Sequence, residues 1–535
     1  MWDIIRDSAV GSCLRIGTSR KWAQYPEERS DFEIPTHWAT SSDSQVLEKS
    51  NGDAHSSSNT EAGEDKDRVI IVAWYSDNDP DNPHNWSFGK KLWVAMLLFV
   101  YTFSVYIGSS LYTSSEPDIT RLLGVSDIVA SLGLTMYVIG YGIGPMIFSP
   151  LSEIPVIGRT APYILTYIIF VILCVPMALV NNLAGILILR FLLGFFGSPC
   201  LATAGASYGD FYGPVEMPYV IALWGGGATL GPALGPLVGG FAVQATNWHW
   251  SSWELLWLSG PTLIFMFLSM PETSSDNILL RRAQRLRAQT GRNDLWSESE
   301  IRQSKLDARQ ITFNALIKPW EINALDPAVL FSTFYTGLTY AIYYSFFESF
   351  PLVYNDIYNF NLGQLGLAFL AVLVGLSVAV AILCAYLHFI APQQLGKYEI
   401  VPPEARLWPG LFATFLIPIG LYIFAWTARA SIHWIVSLVG VGISMCGVFI
   451  ITQCMFIYLP FTYPRYAGSL FAANGLARSL LAGASILFSR PMFEGIKVSG
   501  GVTLLASFSV LCIFGMFALY FGGAALRQRS RFAGM

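Results

Sequence analysis

At 535 residues with 53% hydrophobic and only 13% charged side chains, the chain is too apolar for an ordinary soluble protein, in which about a quarter of residues are charged. Its net charge of -4 comes with basic residues scattered between apolar stretches and not gathered in one patch, which argues against a nucleic-acid partner. Seven cysteines, all but Cys13 inside apolar stretches and none in CxxC spacing, suggest neither a disulfide framework nor a zinc site, and no metal or cofactor is expected.

Residues 1–88 read as a cytosolic, largely disordered tail. Its Ser/Asn/Asp/Glu-rich run from Thr40 to Asp67 cannot bury enough surface to offset chain entropy, while Val69 to Trp74 is apolar enough to order. No apolar core of signal-peptide length precedes the first span, and Lys90 and Lys91 read as interface anchors. Six spans of membrane length follow between residues 89 and 270: Leu92–Leu111, Val129–Ile147, Ala161–Val180, Leu183–Ser207, Val220–Val243 and Trp253–Met270. A polar central loop, 271–326, separates them from six more between 327 and 526: Ala328–Phe347, Leu365–Ile390, Pro409–Trp426, Trp434–Leu459, Ala467–Ser489 and Val502–Leu526. Residues 527–535 form a short C-terminal tail. The expected fold is an all-α polytopic membrane protein of twelve transmembrane helices in two six-helix bundles, a plan that suits transporters with a midplane site.

The positive residues orient it. Lys90, Lys91, Arg159, the arginines between 281 and 309, Lys318, Lys397, Arg406, Arg465, Arg527, Arg529 and Arg531 fall on one side, against Arg121, Arg429, Arg490 and Lys497 on the other. Both termini should therefore be cytosolic. In the central loop, Ile278, Leu279, Leu280 and Leu286 among Arg281, Arg282, Arg285 and Arg287 suggest a basic helix on the inner membrane surface, with a solvated linker as the alternative.

The fifth span carries the most specific pattern, Gly227, Gly231, Pro232, Gly235, Pro236, Gly239 and Gly240. Glycines four apart share one helix face and let a partner backbone approach, while the prolines remove helix hydrogen bonds. This segment resembles the antiporter signature of the drug:proton antiporters of the major facilitator superfamily, in their fungal twelve-spanner branch. Pro150 to Glu153 with Gly158-Arg159 resembles that superfamily's loop signature, with Ser149 in place of the leading glycine and a longer spacing. Arg190 to Gly194, continuing to Asp210, resembles its intramembrane arginine motif. Pro271-Glu-Thr, Leu416 to Gly420, Phe424 to Thr427 and His433-Trp434 look like fungal members.

The resemblance implies proton-coupled efflux of small apolar or amphipathic compounds by alternating access. It implies Glu153, Gly158, Arg159 and Asp210 as a gating loop that latches the inward-closed or outward-open state, and Arg190 as part of proton coupling. Physically, Arg190 stands about 10 Å inside its span, a costly place unless it faces protein or water; it can equally bond helix carbonyls to fix packing. Arg478, about twelve residues into the eleventh span, is open to the same two readings. Glu348, at the outer end of the seventh span, is the candidate proton carrier, although it can be interfacial. Tyr106, Phe334, Tyr335, Tyr340 and Tyr344, with Gln453 and Asn474, are candidate cavity residues for flat or cationic ligands; Asn474 can equally cross-link helices.

The expected partners are a small-molecule substrate, protons and the lipid bilayer, with the chain working as a monomer in the plasma membrane. A primary pump is excluded by the lack of a GxxxxGK[ST] loop, and an enzyme is disfavoured by six dispersed histidines and no GxSxG. An importer, symporter or uniporter for a metabolite, and a non-transporting sensor of the same architecture, are the alternatives.

Overall fold

The first helix of span length starts at Phe88, where Ser87 turns its hydroxyl to accept from the Lys90 amide, supplying one of the partners a helix start lacks. Similar caps open later helices: Ser126 accepts from Val129, Asn182 from Gly185, and Asp326 from Ala328 and Val329. The chain is seen here in a computed structural model that describes residues 2–18, 22–29, 32, 46–48, 68–304, 317–396, 401–463 and 467–532.

Among the described residues, nine helical stretches are long and apolar enough to cross a bilayer, and the last of them, Leu470–Arg529, is two helices. The division is at Lys497, whose φ of 64° and ψ of 158° are not helical. Two further helices of span length, Trp250–Ser269 and Pro327–Phe350, are more polar. The twelve are α1 (Phe88–Ser110), α2 (Asp127–Glu153), α3 (Thr160–Leu179), α4 (Leu183–Gly209), α5 (Met217–Ala245), α6 (Trp250–Ser269), α7 (Pro327–Phe350), α8 (Leu362–Gln394), α9 (Trp408–Thr427), α10 (Trp434–Thr462), α11 (467–496) and α12 (498–529). Both chain ends lie on the side of the central loop: Arg6 bonds Asp81, which also pairs with loop Arg282, and Ser530 donates to Asp326 at the start of α7. That side is the tail end below, and the opposite side the far end.

The two halves meet along α2 and α11 from end to end. Gly142 faces Ser479, Gly483 faces Thr135 and Ile139, and Asp127 pairs with Arg490 at 2.7 Å. A second seam, α5 against α8, is closed at the far end, where Gly366 packs on the Pro236 carbonyl and Gly240 on Leu362.

The N-terminal region departs from expectation. Helices Trp2–Arg6 and Ala9–Gly17 pack against α6, the turn Pro26–Glu28 and strand β2 (Arg68–Ile71) fold against the loop helix Ser275–Thr290, and β2 pairs with β1 (Val46–Glu48) antiparallel and with β3 (Leu295–Trp296) parallel. Ile70 and Val72 bury with Ala283, Leu286 and Leu295. The face of the loop helix expected to lie on the membrane is thus covered by the chain's own tail. Its Arg282 guanidinium is fully buried and bonds both Asp79 and Asp81, while Arg285 pairs with Glu27 at 2.6 Å. Burial works against a charged Asp79, but the Arg282 bonds and the Tyr75 and Asp81 amides prevail and hold its carboxyl below the usual range. Most of the Thr40–Asp67 run, together with Lys305, Arg309, Lys397 and Arg465, lies outside the described residues.

Candidate functional site

The glycine row of α5 lies on α1 within the first half. A methyl on Gly231 would meet the Ile107 amide nitrogen at 2.7 Å, on Gly235 the Leu111 amide nitrogen at 2.8 Å, and on Gly239 the Leu111 carbonyl at 3.0 Å; Gly227 faces Phe99. These are backbone contacts, so the row sets the α1–α5 spacing. Gly240 and the Pro236 carbonyl sit on the other edge of α5 and belong to the seam with α8. Pro232 and Pro236 stay within one helical run.

Arg190 is 3% exposed and spends its donors on three main-chain carbonyls: Gly108 at 2.7 Å, Ser109 at 2.9 Å and Gly133 at 3.1 Å. Gly108 and Ser109 stand in the last turn before α1 tightens into the 3₁₀ segment Leu111–Ser115, where helix carbonyls lose their regular partners. A cation there also meets the negative end of the helix dipole. The rings of Tyr112 and Tyr137 stack on the guanidinium at 4.5 and 4.4 Å. The three bonds tie α4 to α1 and α2.

Toward the far end, Glu348 is 4% exposed and accepts from Ser131 Oγ at 3.0 Å; on the other side of the same hydroxyl stands Glu116 Oε2 at 3.4 Å. Glu348 comes from the second half, Ser131 and Glu116 from the first, and Oε1 of Glu116 is buried without a partner among the described residues. The two carboxylates line a chamber of about 200 Å³ with Asp127, Asn355, Asp356 and Arg490. Gln244 accepts from the Gly363 amide at 3.0 Å nearby, so the halves are sealed here.

Between the halves at mid-depth lies a tyrosine cluster. Tyr141 of α2 bonds Tyr344 of α7 at 2.9 Å and also Tyr340, and Tyr344 reaches Ser109 of α1 at 3.2 Å. Arg478 donates to Tyr106 at 3.4 Å and lies over the Tyr340 ring at 4.7 Å. Gln453 packs its amide on Gly225 of α5 and has no hydrogen-bond partner among the described residues. Two cavity assignments need correction, and Asn474 takes the second of its two readings. Phe334 is 48% exposed on the outer surface of the bundle. Tyr335 is buried inside the second half with its hydroxyl on Thr414 of α9. Asn474 donates to Thr336 at 2.9 Å and to Thr333 and so cross-links α11 to α7.

At the tail end, Arg159 donates to Asp210 at 2.6 Å, and Gly158 makes the turn with φ 75°. Burial disfavours the Arg159 charge, but Asp210 outweighs it and keeps the group above arginine's usual value. Glu272, unmarked as functional in the sequence, accepts from the amides of Arg159, Thr160, Thr273 and Ser274, and Thr273 donates to Asp210 at 3.0 Å. Glu153 stands apart from this pair, with its carboxylate against Gly468 at the start of α11 in the other half.

The profile of the Major Facilitator Superfamily matches residues 98–486. The chain belongs to the major facilitator superfamily. Among its relatives are the MFS-type transporter pyvG of Aspergillus violaceofuscus, 48% identical over 87% of this chain and 86% of that one, and the cycloheximide resistance protein of Candida maltosa, 36% identical over 99% of each. The multidrug transporter FLR2 of Candida glabrata is 40% identical over 87% of this chain and 79% of its own. The solved proton:xylose symporter XylE shares the fold, with a TM-score of 0.59 at 10% identity over 81% of this chain and 97% of its own.

Within this superfamily member, the residues that sequence reading passed over are Glu116, Ser131 and the Asp127–Arg490 pair at the far end, and Glu272 at the tail end. Glu116 follows two serines and precedes a proline, so it reads as an ordinary helix start. Glu272 was visible only as part of the Pro-Glu-Thr triplet.

Proposed function

We propose that this chain exports small apolar or amphipathic compounds across the plasma membrane in exchange for protons, with its tail end in the cytosol. Relatives named for drug resistance and multidrug transport support the cargo class and the direction, and they favour transport over catalysis. The observation that carries the proton half is the Glu348–Ser131–Glu116 contact across the two halves. Two carboxylates on one buried hydroxyl repel when both are ionised, and one shared proton removes that repulsion. Protonation therefore keeps the far end shut, and loss of the proton drives the halves apart. Arg190 lends Glu116 its positive field, and the Arg159–Asp210 pair with Glu153 over Gly468 makes the opposite gate. Alternating access then needs only a few kcal/mol of bias between two states.

The test is exchange in proteoliposomes with an imposed pH gradient and a lipophilic dye as cargo. Glu348→Gln, neutral at every pH, should abolish gradient-driven accumulation and hold the far end shut while dye binding persists. Accumulation at the wild-type rate in that variant would remove the carboxylate from the mechanism.

A further inference from the structure

From the tail end a cleft of about 630 Å³ runs inward between α4 and α5 on one side and α10 and α11 on the other. Its walls are apolar and aromatic: Met217, Ile221, Trp224, Phe456, Phe461 and Phe471. Trp224 and Phe456 approach to 5.9 Å between ring centroids and narrow it. Beyond that pinch the same helix faces carry polar groups. Gln453 lies one turn deeper than Phe456 on α10, and Arg478 lies two turns deeper than Phe471 on α11, with its guanidinium over the Phe456 ring at 5.3 Å. At 1.5 Å per residue, Gly225, Gln453 and Arg478 all stand about 12 to 17 Å from the tail ends of their helices.

These polar groups are unsatisfied. Gln453 is 1% exposed, and among the described residues neither its Nε2 nor its Oε1 has a partner; Arg478 is 8% exposed, and its Nε has none there. A buried amide without partners costs free energy that an apolar residue of the same length would not. Gly225 leaves the space in which the Gln453 amide lies, since any side chain there would collide with it. An uncompensated donor and acceptor one turn beyond the Trp224–Phe456 pinch of an apolar cleft is a site awaiting its complement.

The geometry points to a specificity site at Gln453 and Arg478 for amphipathic ring compounds that carry a hydrogen-bond donor and acceptor side by side, as a primary carboxamide, lactam or imide does. The Gln453 carbonyl accepts the ligand N–H and its amide donates to the ligand carbonyl. Arg478 Nε donates to a second acceptor, and the ring body packs on the Trp224 and Phe456 rings from the cleft side. This assignment rests on the export reading and narrows its cargo.

The test is equilibrium binding of radiolabelled 2-naphthamide and N,N-dimethyl-2-naphthamide to the full chain in lipid nanodiscs. The dimethyl compound keeps the ring and carbonyl but has no donor. Wild type should prefer 2-naphthamide by about tenfold or more, the scale of one lost buried hydrogen bond. Gln453→Met, nearly isosteric, should erase the preference, keep binding of the dimethyl amide and melt no lower than wild type, because it removes an unpaired amide. Equal affinity of wild type for the two, including no binding of either, overturns the assignment, as does full discrimination or a lowered melting temperature in Gln453→Met. The dye exchange above judges export separately: a chain that exchanges dye for protons yet ignores the amide donor fails here alone.

Discussion

Adding one methyl group at Gly235 tests the α1–α5 seam. A Cβ at that position would stand 2.8 Å from both the Leu111 amide nitrogen and Ser110 Cβ, and closer still to Ser110 Oγ. Contact between such atoms is comfortable at about 3.5–4.0 Å. Leu111 N is backbone, and the Ser110 hydroxyl is already committed to the carbonyls of Ile107 and Gly231. Neither can rotate away, so α5 must retreat from α1 by about 1 Å, and overpacking of this kind costs about 1–3 kcal/mol. Gly226, five residues nearer the tail end than Gly231, supplies the control, because nothing lies within 4 Å of its added Cβ. Gly226→Ala and Gly235→Ala share the same change in helix propensity, about 1 kcal/mol in favour of Ala, so the difference between them isolates the clash. Gly235→Ala should melt below Gly226→Ala in detergent and transport dye more slowly in vesicles, and Gly235→Leu should not transport at all. Equal melting temperatures and equal transport in the two alanine variants would refute the seam.

Arg190→Lys should be as damaging as Arg190→Ala, because one ammonium cannot serve carbonyls on α1 and α2 from the place where a planar guanidinium serves three; a loss of about 1–3 kcal/mol for each carbonyl left unpaired is expected, read as a lowered melting temperature, and a Lys variant with wild-type melting would contradict it. Asp79→Asn should free the N-terminal segment, exposing it to trypsin while the spans stay folded, since Arg282 would remain buried with half its partners. The same attachment has an acid limit. Asp79 is held below its free value of 3.8, so its contribution is complete above that pH and disappears as pH falls through the lower, folded value. Tail protection should therefore be flat through neutral pH and fail only in strong acid, and a loss of protection between pH 6 and 8 would assign the attachment to other groups.

The spans and their two-bundle arrangement were legible because apolar length is a local property that lipid imposes on every crossing. The glycine row was legible for a related reason: a four-residue repeat reports a helix face without naming its partner. What failed was long-range or angular. The tail reads as disordered because composition cannot register that Asp79 and Asp81 find Arg282 some two hundred residues away. Phe334 and Tyr335 were grouped with Tyr340 and Tyr344 by composition alone. At 3.6 residues per turn Tyr335 lies about 180° around the helix from Tyr344, and that periodicity already places it elsewhere. Glu116 carried no signal of its own, since its significance comes from Glu348 in the other half.

The folded tail also changes the mechanics of the hinge between the bundles. Asn277 bonds the Pro155 carbonyl and Glu272 holds the Arg159 turn, so the connector up to about residue 304 travels with the first bundle. On the other side, Asn323 accepts from Thr333 and Ile322 is buried, so the chain from Lys318 onward travels with the second. Each bundle therefore carries its own part of the connector with it when the halves tilt against each other.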